Sequence, residues 1–334
     1  MIKDLSKFSF LLFLSLTLGL TSCDDDEDDD QMPAPSGPTQ NIAEIASNTD
    51  RFSILVDALN ATDLTGILTQ NGPFTVFAPN NDAFNQYFDD QGITDANNDG
   101  SRVDDAAAEL GADGVANLLL YHVLAGEVRA GDITAQIYSP TSSTASPNGN
   151  ALTILVEPAG GSVNVNGGTG KGGSVVAADI LATNGVIHEV NSVLELPNVV
   201  DHAIANSNFS TLTQLVVDAG LVGALSDENA TLTVFAPLNS GFAEIQSTLD
   251  VLSPEQVSQT LQYHVTGNEV RAEQISVGPE STLQGENIVF SIGADDVTVN
   301  ITDVNGGVVT VLITNVQGTN GVVHAIDKVL IPTL

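Results

Sequence analysis

The chain has 334 residues, which is long enough for two domains of ordinary size, and 42% of its residues are hydrophobic. Its 42 acidic residues outnumber eight lysines and arginines, which gives a formal net charge of −34. Binding to nucleic acid and adsorption on anionic lipid both depend on Lys and Arg, so this balance excludes a nucleic-acid partner and a charge-driven contact with membranes.

Residues 1–22 have the layout of a secretory signal. Lys3 and Lys7 precede an apolar run over residues 8–20, which is shorter than the roughly 20 residues that a membrane-spanning helix needs. The run leads into Cys23, the only cysteine of the chain. This setting resembles the lipobox of bacterial lipoproteins, in which the cysteine becomes the first residue of the mature chain and carries acyl chains. We therefore expect lipidation of Cys23, with the membrane contacted through this anchor only.

Residues 23–39 are predicted to be a tether that does not fold. Acidic residues occupy every position from Asp24 to Asp30, and a proline-rich segment follows. Like charges keep such a chain extended, and prolines stiffen it. An acidic run directly after a lipidated cysteine also resembles the export signal of some Gram-negative lipoproteins. The sequence thus predicts an outer membrane lipoprotein that is exposed at the cell surface.

The remaining chain repeats itself, and this repeat decides the architecture. Copy one carries additional residues around 89–105 and 139–149, which are rich in polar and small residues and are predicted to be surface loops. The repeat predicts one domain at residues 40–198 and a second at 199–334. Three blocks recur in the same order: Phe74 to Phe84 as Leu232 to Phe242, Tyr121 to Val123 as Tyr263 to Val265, and Asn184 to Val190 as Asn320 to Ile326.

Each copy has helical signals early and strand signals late. The apolar spacing over residues 53–68 and 210–225 fits amphipathic helices. In copy two, Ser253, Pro254 and Gln256 supply the cap of a helix that we expect to reach Val265. This separation predicts α+β modules rather than a βαβ array. Short β-branched runs predict strands at 152–156, 163–165, 174–178 and 186–190, and at 288–292, 297–301, 308–314 and 322–326.

These blocks resemble the fasciclin domain, FAS1, and the resemblance covers nearly all of residues 40–333 in two tandem copies. The block that contains Phe77 and the block that contains His188 match the two signature segments of the family, and a Tyr-His pair lies between them. The resemblance implies that each module is a wedge of two β-sheets with helices packed against it. It also implies non-enzymatic adhesion to a cell-surface or matrix protein, to a glycan or to a like module, which includes self-association.

The Tyr-His pairs are the candidate adhesive residues. The family implicates this pair in cell adhesion, and the role carries over to Tyr121, His122, Tyr263 and His264. His122 follows Leu119 by three residues, which places it on the apolar side of a helix, so a buried and hydrogen-bonded histidine is the alternative. A buried pair could still act indirectly, by holding an adhesive surface in shape.

The other histidines carry weaker signals. His188 and His324 lie in β-branched runs, where we expect core histidines rather than ligands. His202 has no counterpart in the other copy that can be checked, and it receives no role.

An acidic stretch in copy one resembles the first half of a calcium loop. Gly100 stands where the backbone of such a loop turns sharply, but the twelfth position holds Ala106 instead of a bidentate glutamate. A calcium site and a plain acidic loop both remain open, and no other cofactor is expected. The candidate ligands are Asp95, Asn97, Asp99 and Ser101.

Motifs of catalysis give no support for an enzyme. The sequence contains neither a nucleophile elbow nor a zinc-binding His-Glu-x-x-His, and the Gly-rich residues 168–173 lead into strand-forming residues, as a β turn does. Two alternatives stay open. A carbohydrate-binding lipoprotein for nutrient capture would use polar loops, although the chain lacks tryptophan for stacking on sugars. A glycan-active hydrolase would need two carboxyl groups that face each other across a cleft.

Overall fold

The computed structural model describes residues 37–96, 100–295 and 297–334. Residues 38–334 form one compact unit that contains both sequence copies. The predicted signal segment, Cys23 and the acidic run of the tether lie outside the described residues, as do Asn97 and Asp99 of the candidate calcium loop. Within the described ranges, every helix is too short or too polar for a membrane crossing.

Both copies consist of short helices and a seven-stranded sheet. The helices of copy one are α1 (Ile42–Ser47), α2 (Ser53–Ala61), α3 (Thr65–Leu68), α4 (Asn81–Asp90), α5 (Arg102–Leu110) and α6 (Ala112–Tyr121). Its strands are β1 (Phe74–Pro79), β2 (Val123–Ala125), β3 (Ile137–Pro140), β4 (Thr153–Ala159), β5 (Ser162–Val165), β6 (Gly173–Ala182) and β7 (Gly185–Val190).

Copy two repeats this order after the boundary. Its helices are α7 (Val199–Ala205), α8 (Ser210–Asp218), α9 (Val222–Leu225), α10 (Asn239–Glu244), α11 (Gln246–Leu249) and α12 (Pro254–Tyr263). Its strands are β8 (Leu232–Pro237), β9 (Val265–Thr266), β10 (Gly278–Ser281), β11 (Asn287–Ile292), β12 (Val299–Thr302), β13 (Val308–Gly318) and β14 (Gly321–Ile326).

The two sheets have the same topology. The strand order is β2-β1-β7-β6-β5-β4-β3 in copy one and β9-β8-β14-β13-β12-β11-β10 in copy two, with one parallel pair in each, β1 with β7 and β8 with β14. The long strands β6 and β13 have register shifts near Asp179 and Asn315, whose φ angles are +56° and +60°. Such bulges bend a strand, so each sheet folds into two layers. The wedge with packed helices confirms the predicted α+β class.

The strand β1 divides the core of copy one into two parts. Val76 and Ala78 face the helices, and Phe77 between them points into the wedge, as expected for alternating side chains. In copy two, Ala236 and Phe235 make the same division. Both phenylalanines are fully buried, and truncating either to alanine would cost about 3–5 kcal/mol of stability. The signature block therefore contributes to both parts of the core in each module.

The eight predicted strands all form, and the structure adds short strands, among them β2, β3, β9 and β10, and differs from the predictions in its helices. The segments 53–68 and 210–225 each form two helices, because Asp63 (φ +56°) and Gly220 (φ +68°) take left-handed conformations. The capping box of Ser253 forms as predicted, but α12 ends at Tyr263 and Val265 belongs to β9. The stretch 89–105 is not all loop, since α5 begins within it and buries Val103.

Candidate functional site

Each Tyr-His pair lies at the C-terminal end of a helix, in the interior of its module. Tyr121 and Tyr263 are fully buried, and 2% of His122 and of His264 is exposed. These side chains cannot touch a partner directly in this fold. Their adhesive role stays a prediction, and it would have to be the indirect one, exerted through the surface that they hold in place.

The two histidines connect the helix end to the last segment of their module. His122 Nδ1–H donates to the Leu118 carbonyl at 2.7 Å, and its Nε2 accepts from the Leu194 amide at 2.9 Å. In copy two, His264 makes the same pair of bonds with Thr260 and Leu330. One ring nitrogen donates and the other accepts, which only a neutral imidazole can do. Burial accordingly lowers the pKa of both histidines to about 4.

The two tyrosine hydroxyls, by contrast, have partners of different kinds. Tyr121 Oη–H donates to the Thr153 carbonyl at 3.0 Å and accepts from Asn166 Nδ2 at 2.8 Å. Tyr263 Oη–H donates to the Asn287 carbonyl at 2.9 Å and accepts from the Val304 amide at 3.1 Å. Thr153 and Asn166 are buried beside copy two, whereas Asn287 and Val304 are exposed. Tyr121 therefore supports the junction of the modules, and Tyr263 supports a free surface.

The histidines of the late block are core residues, as predicted. His188 Nε2–H donates to the Val128 carbonyl and His324 Nε2–H to the Val270 carbonyl, each at 2.8 Å. Each ring also stacks on the phenylalanine of the neighbouring strand, at 5.6 Å between centroids. These contacts leave neither ring free for a ligand.

His202, which has no predicted role, lies in α7 at the junction. Its Nε2–H donates to the Gln317 carbonyl at 3.0 Å. Its Nδ1 is the one buried side-chain polar atom without a hydrogen-bond partner in the part of the chain that the structure describes. Burial lowers its pKa to about 4, so the ring is neutral and Nδ1 is an unused acceptor.

The junction between the copies is mostly polar. The backbone amide of Gln317 donates to Thr153 Oγ1 at 3.0 Å, and this bond joins β13 to β4. Gly167 (φ +76°) lies so close to α7 that a Cβ would stand 2.8 Å from the Ala205 carbonyl oxygen. Side chains complete the contact through Asn206 with Tyr138 (2.8 Å), Asn150 with Glu269 (2.7 Å), Asn208 with Gln136 (2.9 Å) and Lys171 with Asp201 (2.9 Å).

A cleft of about 530 Å³ opens at this junction. Burial raises the pKa of Glu195 in its wall, and the nearby Lys171 opposes that rise. The polar groups suit hydroxyl-bearing ligands, but the described residues of the lining include no aromatic ring apart from the imidazole of His202. Its polar side chains include Glu157, Asn166, Lys171, Glu195, Asp201 and His202.

The carboxylates of the cleft are already engaged. Asp201 pairs with Lys171, and Glu157 accepts from Gln136 Nε2 at 2.6 Å. Glu195 accepts a longer bond from Gln91 Nε2 at 3.4 Å. A glycoside hydrolase needs one carboxyl as acid and a second as base or nucleophile, whereas each of these three carboxylates contacts a neighbouring side chain of the protein.

The candidate calcium loop is described only in part. Asp95 Oδ2 accepts from the Gly100 amide at 2.9 Å, and Asp105 Oδ2 accepts from the Ala96 amide at 3.0 Å. Among the residues with described positions, no three His, Cys, Asp or Glu side chains are grouped to hold a metal ion. Calcium binding stays a prediction, because two of the four candidate ligands lie outside those residues.

Comparison with known proteins identifies the repeat. The family model described as Fasciclin domain matches residues 50–197 and 207–332. Protein sll1483 of Synechocystis is 37% identical over 164 residues, which cover 49% of this chain and 78% of that protein. Human periostin is 26% identical over 295 residues, or 86% of this chain and 31% of periostin, so the chain spans less than a third of that relative. A solved FAS1 domain pair from the insect cell adhesion molecule Fasciclin I covers 86% of this chain and 95% of its own, with 17% identity and a TM-score of 0.48.

Proposed function

The chain belongs to the fasciclin domain family, and from that premise we propose that it is a non-enzymatic surface protein that mediates adhesion by binding a cell-surface or matrix protein or a glycan. The observation that carries the proposal is the pair of fasciclin domains in one compact unit. The polar residues of the recurring blocks support it, because they are committed to hydrogen bonds within the modules and not to a reaction centre.

The proposal also includes the cellular location of the protein. The lipobox-like setting of Cys23 supports a lipid anchor, and the acidic run after it supports export to the outer membrane with the modules outside the cell. The large negative charge is compatible with this place, since it keeps the modules soluble and prevents them from adsorbing on anionic lipid.

Adhesion of living cells tests the proposal. Cells that express the full chain are washed over surfaces coated with matrix proteins, with glycans or with the protein itself, and the retained cells are counted. We expect retention well above that of cells with an empty vector on at least one coating. Cells with Cys23→Ser serve as the anchor control, for which we expect loss of fatty-acid labelling and of retention. Equal retention of expressing and empty cells on every coating would overturn the proposal.

The junction cleft favours carbohydrate capture as a second candidate function, because its amide, carboxylate and ammonium groups are suitable partners for hydroxyls. A glycan array with the full chain tests it. Glu195→Gln removes one charge in the cleft, and Glu228→Gln, at an exposed position, is the matched control. Glycan binding that falls tenfold or more only in the first variant, with adhesion unchanged, would establish capture as a function separate from adhesion.

A further inference from the structure

The outer side of the sheet in copy one shows how this fold binds a neighbouring module. In β4, Ile154 points into the core, so Thr153 and Leu155 point to the opposite side. Both are nevertheless buried, because β4 contacts β13 and the turn after β5 contacts α7. We call the outer side of β3, β4 and β5 the sheet face. The surface of copy two that covers it, formed by α7, Asn206 and Gln317, is the receiving face.

Copy two has its own sheet face, and among the described residues it is exposed. The Tyr121 hydroxyl donates to the Thr153 carbonyl as the Tyr263 hydroxyl does to the Asn287 carbonyl, so Thr153 and Asn287 are equivalent positions. Two residues further along each strand, Leu155 corresponds to Val289. Leu155 is fully buried, whereas 42% of Val289 is exposed. Register places Pro279, Val289, Thr302 and Val308 opposite one another on four adjacent strands, and 54% of Val308 is exposed. Three of these four side chains, Pro279, Val289 and Val308, are apolar, and they are exposed among the described residues.

Copy one has its own receiving face, which is also exposed in the part of the chain that the structure describes. Leu181 in β6 corresponds to Gln317 in β13, since Leu181 pairs with Val186 as Gln317 pairs with Val322. Gln317 is fully buried by the junction, whereas 39% of Leu181 is exposed. Each chain therefore has two different exposed faces, the sheet face of copy two and the receiving face of copy one. Each of them corresponds to a face that is buried at the junction between the copies.

We propose that a second copy of this chain covers these faces, with the sheet face of copy two in one chain docked on the receiving face of copy one in the next. The contact repeats the junction that already exists within each chain. Because two different faces meet, the interface is heterologous and can continue from chain to chain. By the correspondences above, Leu181 meets Asn287, the counterpart of Thr153, and α1, the counterpart of α7, covers the row that contains Val289 and Val308. The proposal goes beyond adhesion and does not depend on it.

The negative charge of the chain should make this assembly depend on salt concentration. Acidic side chains lie beside the receiving face of copy one, among them Glu44 of α1 and Asp179 at the bulge of β6, and the net charge of −34 makes two copies repel each other. Glu44 corresponds to Asp201, since each completes the capping box of its helix, but Gly307 stands at the position of Lys171. The ion pair of the internal junction is therefore missing between chains. We expect association to strengthen with salt, in contrast to an interface held by ion pairs, and to be strongest near ~1 M, where the Debye length is about 3 Å.

Sedimentation velocity tests the proposal with the chain that carries Cys23→Ser, which has no acyl chains to drive micelle formation. The mean mass should at least double with rising protein concentration at high salt. Val289→Glu and Leu181→Glu alter one face each, and Val217→Glu, at an exposed position of α8 outside both faces, is the control that should assemble unchanged. Circular dichroism verifies that all variants are folded.

The pattern of mixing distinguishes this interface from others. Each face variant alone should remain monomeric, and an equal mixture of the two should form dimers but nothing larger, since each dimer has one intact interface. A wild-type chain that stays monomeric at every concentration and salt level would overturn the proposal. Assembly of Leu181→Glu on its own would also overturn it, because two sheet faces would then bind each other. A mixture that forms no dimers would do the same.

Discussion

Removal of the tyrosine hydroxyls should have unequal effects in the two modules. In Tyr121→Phe, the buried amide of Asn166 loses its acceptor and the Thr153 carbonyl loses its donor. A buried donor that is left unsatisfied costs about 1–3 kcal/mol, and that is the destabilisation we expect. In Tyr263→Phe, the freed groups belong to Asn287 and Val304, which are exposed, so water can replace the hydroxyl and the cost should be at most about 1 kcal/mol.

Urea unfolding of the full chain and of the two variants measures this difference. Both substitutions keep the ring and its packing, so each variant is the control of the other. Hydrogen exchange at the Gln317 amide gives a second readout, because this amide donates to Thr153 and should exchange faster only in Tyr121→Phe. An equal or larger loss of stability in Tyr263→Phe would contradict the expected difference between the modules, as would unchanged exchange at Gln317.

Three further predictions concern other features of the fold. Burial lowers the pKa of His122 and of His264 from 6.5 to about 4, so the stability they contribute is complete above pH 6.5 and is lost as pH falls through 4; urea midpoints that stay flat from pH 7 to 4 would contradict this. Gly167→Ala should cost about 1–3 kcal/mol more than Gly160→Ala in thermal unfolding, because both residues have positive φ but only Gly167 lies against α7. Ser253→Ala should cost about 0.5–2 kcal/mol, measured in the same way, because it removes the cap of α12; an unchanged midpoint would show that the cap is dispensable.

The architecture could be predicted from the sequence because the same patterns occur in both copies. The β-branched runs and the Ser253 capping box depend on local spacing, which the two modules preserve. The strands β2, β3, β9 and β10 could not be predicted from the sequence, because each has only two to four residues, too few to show the alternation of a strand. Helix α5 was hidden by the polar composition around it, although Val103 and Ala106 have helical spacing.

The junction could not be predicted because its residues have no distinctive pattern. Gln317 is polar and yet fully buried, while Leu181 at the same place in copy one is exposed, the reverse of what polarity alone indicates. The one available signal was the difference between the copies at positions that otherwise repeat. The burial of the Tyr-His pairs was the alternative left open by helical spacing, and their hydrogen bonds involve segments far away in sequence.

Adhesion is measured by the retention of washed cells that display the full chain. We expect expressing cells to stay on at least one coating of matrix protein, glycan or the protein itself, and cells with Cys23→Ser to be washed off. Retention no greater than that of empty cells on all of these coatings would contradict this expectation.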